Sequence, residues 1–428
     1  MKPYSLARFE MARIVQKFGG SSLASIEKIR QAAAIAVELA NQGHEVTTVV
    51  SAMGKTTDLL ISMAEEISAT PDPRELDMLL ATGEQQTIAL MAMAIEELGA
   101  QARSFTGYQA GILTESQHGA AKIREIDVTA VESALNRGEV AVVAGFQGTT
   151  TEREITTLGR GGSDTTAVAL AASLGAERCD IYTDVLGVFT ADPHLVPDAK
   201  QLSCISYEEM FELANTGAKV LNARSVEIAM ESHVPVRVRS TFEPEKLGTL
   251  ITHKFVAPEY TICGITADKN ISCFSLSIEN EGDNVGPLEG VASIFTRLAE
   301  LSISTDMVML LALEDEPIQE LVFMVEKRFA TRVRKVIASF EEKMKSPALT
   351  VDDNLARISI IGRRLTGKPE VVASVFDVLN QAHIPIHLVA TGDLRMSVLT
   401  PLHFADQAVQ LIHDRFNLSE ESPAFKTI

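Results

Sequence analysis

Four cysteines serve 428 residues, and none is spaced to act with another: Cys179, Cys204, Cys263 and Cys273 form no CxxC or CxH pattern. That argues against a disulfide framework or a zinc site and fits a reducing cytoplasm. Long apolar runs are missing too. No uninterrupted stretch reaches the ~20 residues a membrane helix needs, and the first residues lack the apolar segment of a secretion signal. A soluble cytoplasmic protein without a membrane partner is expected. Positive charge is scarce, since 38 Lys and Arg against 57 Asp and Glu leave a formal net charge of −19. Such a field repels nucleic acid, so an anionic substrate must be held by a local cationic pocket. Lysines and arginines in apolar or glycine-rich surroundings therefore carry the most information.

Residues 1–11 show no periodic pattern and read as an extension. From Ala12 to about Thr252, short β-branched runs alternate with longer Ala-, Glu- and Leu-rich stretches. Strands are predicted at RIVQKF, EVTTVVSA, VAVVAGF, CDIYTDV and VPVRVRS, and helices over 25–42, 56–68, 75–98, 163–174 and 206–214. Alternation of this kind builds a mainly parallel sheet between two layers of helices, with ligands at the carboxyl ends of the strands. After the stretch HKFVAPEY an internal echo follows: VASIFTRLAELSISTDMV (291–308) aligns without a gap onto VASVFDVLNQAHIPIHLV (372–389). Its apolar positions describe an amphipathic helix, a tight connection and a strand. Two copies of one small α+β module are expected, over 253–345 and 346–428.

The chemistry gathers in the turns. In QKFGGSS the strand ends near Phe18, Gly19 and Gly20 let the backbone approach a ligand, and Ser21 and Ser22 are placed to cap the next helix. Free N–H groups there attract anions, and Lys17 adds a full charge. TTLGRGGSDTTA (156–167) repeats the arrangement with Arg160 as its cation, Gly161 and Gly162 in the turn and Ser163 at the helix start. A guanidinium suits a carboxylate better than an ammonium does. Between them, SAMGKTT (51–57) imitates a phosphate-binding P-loop, but position 49 is Val49 where that motif requires glycine. Ser51 and Thr57 remain as hydroxyl contacts at a strand end. Glu84, in ATGEQQ, reads as a first-turn acid favoured by a helix dipole. YTDVLGVFTADP (182–193) offers Thr183, Asp184 and Asp192 in a loop able to cover a nucleotide, and Lys219 follows a glycine in NTGAKVL.

Together these stretches resemble the aspartate kinase family of the amino acid kinase superfamily. KFGGSS, VSAMG, TGE, TTLGRGGSDTTA, YTDVLGVFTADP and GAKVL occur in that family's order over residues 13–252, and the C-terminal echo is similar to its paired ACT modules. The resemblance implies a three-layer αβα amino acid kinase fold followed by two ferredoxin-like βαββαβ ACT domains. It implies transfer of the γ-phosphoryl of ATP to the side-chain carboxylate of L-aspartate, with Mg2+ on the phosphates, as the first step of the aspartate-derived amino acid pathway, whether that serves lysine, threonine and methionine or a specialised product. Carried over residue by residue, Lys17, Gly19 and Gly20 hold the transferred phosphoryl, Arg160 the substrate α-carboxylate and Glu84 its ammonium. Ser51, Thr57 and Ser163 complete the aspartate pocket, with Asp164 orienting charged groups. Phe18, Gly161, Gly162, Thr183, Asp184, Phe189, Asp192, His194 and Lys219 line the ATP site. Few direct protein ligands to the metal are expected.

Some positions depart from the family. Leu186 stands where aspartate is usual, and His194 replaces an arginine, exchanging a permanent charge near phosphate for a titratable one. In the ACT half Asp306 is retained, but Met309 and Leu310 replace polar residues, and VATGDLRMS, with Thr391, replaces a serine-rich stretch. Feedback by lysine or threonine is therefore either altered or lost, or exerted through backbone groups and different side chains. Two other functions stay open at this point: a kinase for a different carboxylate, and a non-catalytic amino-acid sensor. Pairing of ACT modules through strand edges implies a homo-oligomer.

Overall fold

The computed structural model describes residues 11–218, 220–253, 262–279, 286–312, 318–340 and 348–419. In chain order its first part contains β1 (Arg13–Phe18), α1 (Ile26–Asn41), β2 (Glu45–Val50), α2 (Thr56–Ile67), α3 (Pro73–Glu97), β3 (Ala102–Phe105), β4 (Ile112–Thr114), β5 (Ile123–Ile126), α4 (Thr129–Leu135), β6 (Val140–Ala144), β7 (Gln147–Thr149), β8 (Ile155–Thr157), α5 (Gly162–Ser173), β9 (Arg178–Thr183), β10 (Cys204–Ile205), α6 (Tyr207–Asn215), α7 (Ala223–Ser232), β11 (Val236–Ser240) and β12 (Thr249–Ile251). The five predicted strands and five predicted helices of this region are all present, within two residues at most ends.

Eight of these strands form one sheet in the order β10-β12-β11-β9-β1-β2-β6-β3. From β11 to β3 every pair is parallel, and β12 runs antiparallel to β11. Central parallel strands are covered on both faces, which is why RIVQKF and EVTTVV are apolar without strict alternation and buried almost throughout. On one face, Ile29, Ala32, Ala33 and Ala36 of α1 pack with Phe18, Val46 and Val50. Helix α5 is made of small residues, GSDTTAVALAAS, with ten of its twelve buried. A smaller sheet, β5-β4-β7-β8, was not expected. Its strands are three or four residues long, too short to show a period of two.

The chain divides into two compact units, the second comprising Ala191–Ala199 and everything described from β13 to Ser419. Its elements are β13 (Ile262–Asp268), β14 (Ile271–Glu279), α8 (Gly286–Glu300), β15 (Asp306–Ala312), β16 (Ile318–Glu326), α9 (Ala330–Ala338), β17 (Ala348–Asp352), β18 (Leu355–Gly362), α10 (Pro369–Gln381), β19 (Leu388–Thr391), β20 (Arg395–Pro401) and α11 (Ala405–Arg415). The echo is real in three dimensions: α8 leads to β15 as α10 leads to β19. One sheet is β15-β16-β14-β17, a complete βαββαβ module. The other is β13-β18-β20-β19. The modules are thus interleaved rather than consecutive at 345/346. β13, joined to β14 by only Lys269 and Asn270, pairs antiparallel with β18, while β17 closes the first module. Among the described residues no helix is long and apolar enough to cross a membrane.

Candidate active site

β1 lies between β2, which follows it in the chain, and β9, so the connections on its two sides leave in opposite directions. Such a switch point opens a crevice at the carboxyl ends of the strands. Two glycine-rich turns meet there.

The first turn follows β1. Gly19 N–H donates to the Tyr182 carbonyl of β9 at 3.3 Å, and Ser51 N–H, beyond β2, donates to the Phe18 carbonyl at 3.1 Å. Gly54 N–H donates to the Gly20 carbonyl at 3.0 Å. A Cβ on Gly20 would sit 3.0 Å from the Ala52 carbonyl oxygen and 3.1 Å from that of Gly54, so glycine lets the loops after β1 and β2 pass this closely. Ser21–Leu23 form a short 3-10 turn before α1 begins. The cap of α1 is therefore Ser25, whose Oγ accepts the Lys28 N–H at 3.3 Å. Ser21 and Ser22, expected as caps, are displaced by that turn, and Ser22 Oγ instead lies 2.7 Å from Thr241 Oγ1 in the interior.

The second turn joins β8 to α5. Gly159 and Gly161 adopt φ of +75° and +72°, a left-handed conformation that favours glycine. Helix α5 then presents Ser163 and Asp164 in its first turn, where an acid suits the helix dipole. A Cβ on Gly145, after β6, would lie 2.8 Å from Ser163, so that glycine admits the helix end into the crevice. Lys17 Nζ stands 2.6 Å from Asp164 Oδ1. One ion pair therefore joins the two turns. Arg160 is exposed, and its guanidinium pairs with no carboxylate among the described residues. Its carbonyl accepts Asn222 Nδ2 at 3.1 Å.

Glu84 requires a correction. It sits in the middle of α3, not at a helix start, and is 2% exposed. The preceding Gly83 is a contact point: a Cβ there would lie 2.8 Å from the Ala52 Cβ. Glu84 Oε1 accepts the Ala52 N–H at 2.9 Å, and Oε2 is buried without a hydrogen-bond partner among the described residues. Burial pushes the carboxyl up to about 7, against the lowering effect of the Ala52 N–H. Glu84 is thereby set beside the Ser51–Ala52 loop, and Thr57, half-buried in the first turn of α2, follows that loop.

At the end of β9, Thr183 Oγ1 lies 3.1 Å from Asp184 Oδ1, and the Thr183 carbonyl accepts the Thr241 N–H at 2.9 Å. The loop beyond is tied down, with Gln201 Nε2 donating to the Leu186 carbonyl at 2.9 Å and Phe189 bridging to Gln201. Lys17, Gly19, Gly20, Ser51, Arg160 to Asp164, Thr183 and Asp184 thus gather where the strand ends meet the start of α5, with Glu84 of α3 reaching the same loops through Ala52. Asp192 and His194 fall in the segment that belongs to the second unit, where the His194 N–H donates to Asp192 Oδ1 at 2.9 Å in an exposed turn. Lys219 lies outside the described residues.

In the second unit, Asp306 is not a solitary acid. It accepts from Arg395 Nη2 at 2.9 Å and from Arg357 Nη1, and Arg357, 4% exposed, also reaches Asp268 at 3.1 Å. Met309 follows an irregularity in β15, and Thr391 is exposed at the end of β19. Two residues of the first unit escaped the sequence reading. Asn222 caps α7 by accepting the Arg224 N–H at 3.0 Å, and an asparagine just before a helical stretch was the available signal. Asp77, buried in α3, gave none.

The cluster offers an ammonium, a helix N-terminus, an exposed guanidinium and a buried carboxylate with an unused oxygen. That set can hold a phosphate and a zwitterion side by side. Among the described residues no group of three or more His, Cys, Asp and Glu converges on a metal position.

Residues 12–240 match the Amino acid kinase family and residues 358–416 match the ACT domain. The chain is 45% identical over 415 residues to Aspartokinase 2 of Bacillus subtilis, covering 97% of this chain and 100% of that one. Its fold is similar to E. coli aspartokinase III in complex with aspartate and ADP in the R-state, with TM-score 0.79, 26% identity and coverage of 94% and 99%. The lysine and aspartate complex of that enzyme in the T-state gives TM-score 0.69, 26% identity and coverage of 95% and 99%.

Proposed function

The chain belongs to the aspartokinases of the amino acid kinase family, and from that premise we propose how its residues divide the work. It transfers the γ-phosphoryl group of ATP to the side-chain carboxylate of L-aspartate, giving 4-phospho-L-aspartate and ADP. A carboxylate with a free-solution pKa near ~4 is already ionised at neutral pH, so no general base is required. The obstacle is repulsion between two anions, and the chain has to supply position and charge.

Lys17 neutralises the transferring phosphoryl, with the backbone of Gly19 and Gly20 against it. Asp164 holds the Lys17 ammonium in place. Arg160 grips the α-carboxylate of aspartate, and the unused Oε2 of Glu84 takes its ammonium. Ser51, Thr57 and Ser163 complete that pocket. Phe18, Gly161, Gly162, Thr183, Asp184, Phe189 and Lys219 serve the nucleotide. Magnesium, when bound with the ATP phosphates, would supply charge withdrawal from the transferring group, with few direct protein ligands. The observation that carries this reading is the 2.6 Å Lys17–Asp164 pair, because it joins the turn assigned to phosphate with the turn assigned to aspartate.

Residues 12–252 form the catalytic domain and the interleaved ACT modules the regulatory part, in a cytoplasmic enzyme that assembles as a homo-oligomer through ACT strand edges. Lysine, bound in the E. coli T-state complex, is the first effector to test, and threonine the second. Asp306, already shared between Arg357 and Arg395, is less free to take an effector ammonium than an isolated acid. A coupled ADP-release assay with aspartate, glutamate and N-acetylglutamate tests the substrate reading. Turnover with aspartate supports it, and turnover confined to another acid refutes it.

A further inference from the structure

Asp77 belongs to no step above, yet it is 1% exposed and pairs with no lysine or arginine among the described residues. A buried carboxylate of this kind is costly unless several hydrogen bonds satisfy it. Three residues do so. His118 Nδ1 lies 2.8 Å away, the Gly119 N–H donates to both oxygens at 3.1 and 3.0 Å, and Thr157 Oγ1 donates at 2.5 Å. These partners come from two places. His118 and Gly119 lie in the loop that joins β4 to β5, and Thr157 is the last residue of β8, directly before the turn that bears Arg160.

The bonds continue around that turn. Ala121 N–H donates to the Thr157 carbonyl at 2.9 Å, and the Ala121 carbonyl accepts Arg224 Nη1 at 3.2 Å. Arg224 N–H donates to Asn222 Oδ1 at 3.0 Å, and Asn222 Nδ2 returns to the Arg160 carbonyl at 3.1 Å. Packing is equally close: a Cβ on Gly159 would lie 3.3 Å from the Gly119 carbonyl oxygen, and one on Gly161 would lie 2.4 Å from Asn222 Cβ. The backbone of the Arg160 turn is therefore held on both sides while its guanidinium is left exposed.

We infer that Asp77 and His118 are a positioning pair for aspartate binding: through Thr157 and the β4–β5 loop they set the turn that presents Arg160. Helix α3 carries both Asp77 and Glu84, so one rigid element fixes the supports of both ends of the amino acid. This deepens the assignment of Arg160 to aspartate and rests on it.

His118, partly exposed, is the safer residue to change. His118→Ala is expected to raise the KM for aspartate about tenfold with the ATP KM within about twofold, as displacement of a binding group does. His118→Asn, whose amide nitrogen can take the place of Nδ1, restores the aspartate KM to within about threefold of wild type. In an Arg160→Ala background, His118→Ala adds less than about twofold, since the group it positions is gone. Equal shifts in both KM values, a lower kcat with both KM values unchanged, no change at all, or full additivity with Arg160→Ala each overturns the inference. Failure of the underlying assignment reads differently: Arg160→Ala alone would then leave the aspartate KM unmoved.

Discussion

Lys17 and Asp164 form a 2.6 Å ion pair between the end of β1 and the first turn of α5, residues separated by most of the catalytic domain in sequence. The pair fixes a lysine that would otherwise swing on four methylenes, and it does so at the switch point of the sheet. The acid lies beside the helix N–H groups that favour negative charge. On the proposed division of roles, a phosphoryl group arriving there would meet a cation already aimed.

Removing that cation should affect transfer more than affinity. Lys17→Ala is predicted to lower kcat by about 10²–10³, the usual cost of losing one charge-stabilising donor, while the ATP KM changes by less than about tenfold. Steady-state kinetics with ATP varied at saturating aspartate decides this. Unchanged turnover would remove Lys17 from the mechanism.

If Glu84 takes the substrate ammonium as proposed, aspartate binding should depend on pH. Its carboxyl is raised from an ordinary 4.5 to about 7, chiefly by burial. Only the ionised form can take the substrate ammonium, so the aspartate KM should rise about tenfold per pH unit below 7 and level off above it. Glu84→Gln should give a high KM that no longer follows pH. For stability the sign is the reverse: the folded chain keeps a proton that the unfolded chain loses, so this contribution is complete below 4.5 and is lost as pH rises through 7. A KM independent of pH between 8 and 6 would contradict the role.

The arginine pair on Asp306 is structural as well as electrostatic. Arg357→Met leaves Asp268 without its arginine and Asp306 with Arg395 as its remaining arginine, in a half-buried setting. The expected loss is about 1–2 kcal/mol, or roughly 5 °C in the unfolding midpoint of the second unit, after allowing for solvent around the two acids. Differential scanning calorimetry reads it. A midpoint unchanged within a degree would mean that the network adds nothing.

Elements whose signal is local were readable. The apolar strands, the amphipathic helices, both glycine-rich turns and the C-terminal echo follow from periodicity and from Gly, Ser and Asp at element ends. Readings failed where a distant contact decides. Gly83, inside a predicted helix, is a contact surface for Ala52 that no local pattern marks. Ser21 and Ser22 look like caps, yet a 3-10 turn passes that role to Ser25. β13 leaves its neighbour β14 to pair with β18, far along the chain. Asp306 meets its arginines 51 and 89 residues away, which no local pattern encodes.

How the two turns divide phosphate from aspartate is read most plainly from the response of Arg160→Ala to each substrate. An aspartate KM raised by about 100-fold is predicted, as for the loss of a charge-assisted carboxylate grip, with the ATP KM within about threefold of wild type. An ATP KM that rises while the aspartate KM stays fixed would exchange the roles of the two turns and contradict the division proposed for them.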